Sequence, residues 1–282
     1  MGASSHVVRS VRRFARRRLV VVGSLLVVLE VLLALLAPFL APFPPNTQDF
    51  RAVLQPPGGS HVLGTDDLGR DILSRLLFGA RLSLQVGVGS VLMAIVVGVP
   101  FGLVIGYLGG LLDDLLMRVV DGLMALPSLV LALVITSVLG SGVQNAMIAI
   151  AVVAVPTYTR LMRGQVLSIK QNDYVTAVAA SGATVPRILF RHILPNALNP
   201  IIVQGSLGVG FAIITESSLS FIGLGAQPPT ATWGSMVQVG FQYLETAPWF
   251  VMAPAVMIFL AVLGFNLLGD GLRDALDPSL RS

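Results

Sequence analysis

The stretch DYVTAVAASGATVPRILFRHILPN, residues 173–196, is polar and basic in a chain otherwise dominated by apolar runs. Asp173 suits a helix N-cap, Tyr174 to Ser181 reads as a short helix of small residues, and Gly182 supplies the left-handed residue that ends it. Thr184 then caps a second helix. Pro186 sits in its first turn, where a missing N–H costs nothing, and Pro195 closes it. Ala177, Ala179, Ala180, Gly182 and Ala183 leave little bulk, so another surface can approach closely, while Arg187 and Arg191, spaced i,i+4, set charge beside it. The stretch therefore reads as a rigid docking hairpin; a basic amphipathic helix lying on lipid headgroups is the alternative.

Outward from the hairpin the chain is made for lipid. Of 282 residues, 55% are hydrophobic and 11% charged, and the mean hydropathy is +0.85, too little charge for a soluble domain of this length. Apolar windows at 19–37, 83–107, 119–139, 143–160, 199–221 and 248–268 are each long enough for a span, and no alternating barrel pattern occurs. The fold class predicted is an all-α membrane protein with six transmembrane helices. Cysteine is absent, which excludes disulfides and thiolate chemistry.

Arg9, Arg12, Arg13, Arg16, Arg17 and Arg18 precede the first window, whose length argues for a retained span over a cleaved signal segment. The excess of positive charge thus reads as an orientation signal rather than a nucleic-acid footprint. With the N-terminus inside, cytoplasmic segments hold 14 Lys and Arg residues against four outside, Arg51, Arg70, Arg75 and Arg81. The predicted organisation is a basic cytoplasmic N-terminus 1–18, a first span 19–37 and an extracytoplasmic segment 38–82 with an interfacial helix. A five-helix core 83–268 follows, containing the cytoplasmic hairpin 163–197, and then a cytoplasmic tail 269–282.

Gly98, Gly102 and Gly106 recur every four residues on one face of the second span, a seam for close helix packing; Ser206 and Gly210 repeat the spacing. In residues 61–81 Leu68, Ile72 and Leu76 fall at helical spacing, which predicts a helix on the membrane surface. Thr65, Asp66 and Asp67 suit its N-terminus, and Asp71 is placed to pair with Arg75. Capping accounts for the carboxylates near His61, so no metal site is assigned. Glu30 and Glu216 fall within spans, where an acid is costly. Each reads either as a helix-joining group or, for Glu216, as a residue bordering a translocation path.

No nucleophile and base pair can be assembled from the scattered His6, His61 and His192, so no catalytic residue is assigned. A phosphate-binding loop needs a glycine-rich turn followed by lysine, and the one lysine, Lys170 in LSIKQND, lacks that context. If ATP powers this chain, another chain binds it.

At 173–196 the chain resembles the inner-membrane permease subunits of ABC importers. Their cytoplasmic EAA loop has glutamate-alanine-alanine, glycine six positions after the glutamate, and leucine-proline twelve and thirteen after the glycine. Gly182, Leu194 and Pro195 keep that register and Ala177 matches, whereas Thr176 stands for the glutamate and Val178 for the second alanine. The stretches LGTDDLGRDILSRLLFGARLSL, MRVVDGLMALPSL, ESSLSFIGLGAQPPTATWG and NLLGDGLRDALDPSLR resemble the C-type permease of the dipeptide, oligopeptide and nickel importers. The resemblance runs from about residue 50 to the C-terminus.

It implies the ABC importer permease fold in the bacterial cytoplasmic membrane, a B-type permease as heterodimer partner, two ATPase subunits or domains, and an extracytoplasmic solute-binding protein. It implies no cofactor on this chain, with ATP and magnesium used by the ATPases. The coupling residues become Asp173, Thr176, Ala177, Ala180, Gly182, Arg187, Arg191, Leu194 and Pro195. Cargo is implied to be di- or oligopeptides, with nickel chelates, glutathione or haem as alternatives. A secondary transporter is the rival class, but neither an internal repeat nor an ion-coupling cluster is seen.

Overall fold

The structure is a computed structural model that describes residues 18–276, so Arg9 to Arg17 and Arg281 lie outside the described residues. The helices are α1 Arg18–Leu40, α2 Ile72–Leu108, α3 Gly110–Met124, α4 Ser128–Leu139, α5 Val143–Ile169, α6 Asp173–Ala180 and α7 Val185–Ile188. A π-helical turn, Leu189–Ile193, joins α7 to α8 Leu194–Phe221, followed by α9 Trp233–Phe241 and α10 Pro248–Leu276. Five helical segments are long and apolar enough to cross a membrane, and the pair α3 and α4 makes a sixth if counted as one span.

That sixth span departs from the window 119–139. Helix begins earlier, at Gly110, and α3 and α4 bend by 92° across the break after Met124. Pro127 is the physical cause, because its ring disfavours helical backbone at Leu126.

The centre of the fold is α2 against α5. A methyl group on Gly98 would lie 2.8 Å from the Val155 carbonyl oxygen, and one on Gly106 would lie 3.1 Å from that of Arg163. Gly102 meets the backbone of Thr159 at still closer range. The glycine seam thus lets two backbones touch, as its spacing predicts. Helix α8 packs on both, α10 packs on α8, and α1 lies against α10 with Val20 beside Gly271 and Val27 beside Gly264.

The expected surface helix does not exist as a separate element. Residues 61–70 form a loop, and α2 runs unbroken for 37 residues, about 55 Å at 1.5 Å per residue. Asp71 is the true cap, with Oδ2 accepting from the Ser74 N–H at 2.7 Å and the Ser74 hydroxyl at 2.8 Å. The apolar residues thought to face lipid, Ile72 and Leu76, are buried in protein. The Trp233 indole donates to the Leu76 carbonyl at 3.1 Å, and its backbone N–H to Ser83 Oγ at 3.1 Å. The Asp71–Arg75 pair is replaced too. Asp71 takes His61 at 3.0 Å, while Arg75 lies 3.3 Å from Asp66.

The sequence boundaries of the hairpin and the tail also shift. Residues 163–169 belong to α5, and α10 continues to Leu276.

Candidate functional site

The hairpin leaves α5 through Lys170, Gln171 and Asn172. Asn172, not Asp173, holds the N-cap position, in extended conformation, with Asp173 in the first turn. The substitution is physically mild, since both side chains favour that end of a helix. Gly182 has φ +81°, the left-handed backbone that side chains with a Cβ resist, and its N–H donates to the Ala179 carbonyl at 3.1 Å. Thr184 caps α7 by position, without a side-chain hydrogen bond.

Pro195 does not close the second helix. Helix continues from α7 through the π turn into α8, with the Leu194 N–H reaching back to the Leu189 carbonyl. Proline has no N–H to donate and crowds the carbonyl four residues earlier, and a widened turn accommodates both facts without ending the helix. The second arm of the hairpin is therefore continuous with a 28-residue membrane helix.

Val175, Ile188, Leu189 and Ile193 are buried beneath the hairpin, leaving Thr176, Ala177, Ala180, Gly182, Arg187 and Arg191 exposed; Pro195 is exposed and Leu194 half-buried. A methyl group on Gly182 would meet nothing within 4 Å. Neither arginine side chain has an ion-pair or hydrogen-bond partner among the described residues. Tyr174, Val185 and Phe190 add an exposed apolar component, Phe190 being 61% exposed. Sequence reasoning missed these three, although for Val185 and Phe190 the proximity to Arg187 and Arg191 in the chain was a usable signal. The two arms are stapled by Asn196, whose amide donates to the His192 carbonyl at 2.7 Å and to the Tyr174 hydroxyl at 3.3 Å.

The base of the hairpin is pinned by residues that read from sequence only as orientation charges. Lys170 Nζ donates to the Gly106 carbonyl on α2 at 2.9 Å. Arg163 grips Asp113 of α3 with two bonds of 2.6 Å, and Arg160 pairs with Asp121. These bonds and the continuous second arm tie the hairpin to α2, α3, α5 and α8.

Two cavities adjoin α8. One of about 260 Å³ lies between α2, α4, α5 and α8, with Ser90, Ser128, Thr157, Gln204 and Thr215 as its polar lining. The other, of about 430 Å³, lies towards the hairpin and is lined by Gln165, Asn196, Asn199, Gln204 and Arg273. They share Gln204, and neither lining includes a carboxylate.

Glu216 lines neither cavity. It is 1% exposed, and its Oε1 accepts from the Ser220 hydroxyl at 2.7 Å, close to the Thr232 cap of α9. Thr215, one residue earlier and 100° away around the helix, lines the cavity instead. Glu30 is 2% exposed on α1, with neither carboxyl oxygen partnered among the described residues. In the loop before α2, burial and neighbouring Asp66 raise the Asp67 carboxyl above its usual range, against the pull of Arg70 and Arg75.

Residues 98–282 match the family described as binding-protein-dependent transport system inner membrane component. Residues 7–57 match the N-terminal TM domain of oligopeptide transport permease C. Similar proteins include the dipeptide transport system permease protein DppC of Escherichia coli K12, 50% identical over 95% of this chain and 91% of its own length. DppC of Alkalihalophilus pseudofirmus is 45% identical over 96% and 89%. The glutathione transport system permease protein GsiD of Pectobacterium atrosepticum is 44% identical over 96% and 90%. Among solved structures, an inward-facing MetNI methionine ABC transporter chain shares the fold, with a TM-score of 0.58 and 20% identity over 72% of this chain and 96% of that one.

Proposed function

The chain belongs to the binding-protein-dependent transport system inner membrane component family, and from that membership we propose that it is the C-type permease of an ATP-driven importer of di- or oligopeptides. It is a multi-pass inner-membrane subunit. The observation that carries the coupling role is the hairpin: an exposed small-residue face with a left-handed Gly182, rimmed by Arg187 and Arg191, which have no partner among the described residues, and continuous with α8. Its partners are a B-type permease, two ATPase subunits or domains that use ATP and magnesium, and an extracytoplasmic binding protein. Hairpin and both termini face the cytoplasm.

ATPase closure pushes the hairpin, and because its second arm has no break before Phe221, the push becomes rigid-body motion of α8. The route runs through the two cavities that share Gln204. Their amides and hydroxyls can exchange hydrogen bonds with a peptide backbone whatever its side chains, and the lack of carboxylates avoids trapping the amino terminus.

The relatives named for dipeptide transport support a peptide cargo, and the glutathione permease relative supports a second reading, glutathione itself a modified tripeptide. Reconstituting the chain with its partner subunits in liposomes tests both. ATP-dependent uptake of labelled dialanine, with weaker uptake of glutathione, is expected; uptake of glutathione alone reverses the preference, and uptake of neither overturns the peptide reading.

A further inference from the structure

Helix α2 buries its glycine seam on α5 and, on the side that carries Arg81, leaves Val88, Leu92 and Val96 exposed. From Val88 to Val96 the stripe is about 12 Å long at 1.5 Å per residue, close to the depth of one leaflet of a hydrocarbon core about 30 Å thick. The same stripe continues beyond Val88 with Gln85 and Arg81, both exposed. Arg81 thus stands about 10 Å beyond the apolar edge, in the headgroup layer.

Gln85 and Arg81 line a cavity of about 380 Å³ together with Asn46, Phe78, Leu82 and Thr230. Its walls are held by Arg75, which is 6% exposed and whose Nη1 donates to Asn46 Oδ1 at 3.2 Å, the Pro45 carbonyl at 3.1 Å and the Pro229 carbonyl at 3.4 Å. With Oδ1 engaged, Asn46 presents its amide N–H groups as donors. Arg70 and Arg75 are paired with Asp66, and Arg70 with Asp67 as well, whereas Arg81 has no ion-pair or hydrogen-bond partner among the described residues. The lining contains no carboxylate.

A cavity of donors with one free guanidinium selects an anionic oxygen, and an apolar stripe of about one leaflet's depth directly below it selects an amphiphile. We propose that this cavity binds the phosphate of a phospholipid, whose acyl chains lie along the Val88 to Val96 stripe. A free carboxylate, such as a peptide terminus, would satisfy Arg81 but leave the stripe unused. The leaflet is the outer one in the orientation proposed above; the site itself does not depend on the cargo.

Native mass spectrometry of the full chain in detergent, titrated with phosphatidylglycerol, tests this. The wild type is expected to retain one lipid more per chain than Arg81→Gln, which binds about tenfold more weakly, the size of one lost charge-assisted contact. Arg81→Lys should recover part of the loss, and Arg51→Gln, which removes an exposed outer charge away from the cavity, should match the wild type. Equal retention by wild type and Arg81→Gln overturns the proposal, as does displacement of the lipid by millimolar dialanine. So does cross-linking of Leu92 to a partner permease in the assembled complex with no lipid retained.

Discussion

The hairpin after α5 and the loop before α2 are built from the same kinds of residue and use them in opposite ways. In the loop, Asp66 is fully buried and holds Arg70 at 2.6 Å and Arg75 at 3.3 Å, and Arg75 ties three distant carbonyl and amide oxygens together. In the hairpin, Arg187 and Arg191 are exposed and no acid of the described residues takes them. Charges satisfied within the chain make a scaffold. Charges left unsatisfied on a small-residue face are available to another chain.

The contrast is broken most severely at Asp66. Asp66→Asn removes the counter-charge of buried Arg75 and leaves Arg70 only Asp67 at 3.4 Å, and it should cost about 3–5 kcal/mol, the usual penalty for stranding a buried charge. A thermal melt in detergent should show the variant unfolding well before the wild type; an unchanged melt would mean the loop is not a scaffold. Next in size is Gly102→Ala, which drives a methyl into the Thr159 backbone and should destabilise by about 1–3 kcal/mol through overpacking. The same melt measures it, and uptake should fall with it.

The hairpin should respond differently. Gly182→Ala places a Cβ at φ +81° in open space, so the cost is conformational strain of about 1–2 kcal/mol with no clash. The double change Arg187→Gln and Arg191→Gln should move stability by less than about 0.5 kcal/mol, as solvent-exposed substitutions do. Yet it should weaken capture of the ATPase chains in a pull-down, more so at low salt where screening is least. Loss of stability without loss of capture would make the arginines scaffold after all. Smallest of all should be Glu216→Gln, which keeps an acceptor for Ser220 and lies off the cavities. Uptake unchanged across pH is expected, and a strong effect on transport would return Glu216 to the pathway.

The same contrast explains what was legible in the sequence. Caps, a left-handed glycine and small-residue spacing are local signals, so the hairpin and the Gly98, Gly102, Gly106 seam could be read in register. The loop could not. Its partners are contributed from up to 154 residues away, as in the contact of Arg75 with Pro229, and no window around Arg75 contains that information. Amphipathic spacing at Ile72 and Leu76 looked the same whether the apolar side met lipid or Trp233. Pro195 misled for a related reason: the π turn that carries helix past it is a property of backbone geometry, not of residue type.

The central claim is that the hairpin transmits ATPase motion to the membrane helices. Gly182→Arg adds bulk and charge at the exposed turn, where an added Cβ meets nothing within 4 Å. In a reconstituted complex, measuring peptide uptake and ATP hydrolysis together should show normal assembly of this chain in the membrane, with uptake lost and hydrolysis no longer stimulated by the loaded binding protein. Uptake and substrate-stimulated hydrolysis both at wild-type levels would contradict it.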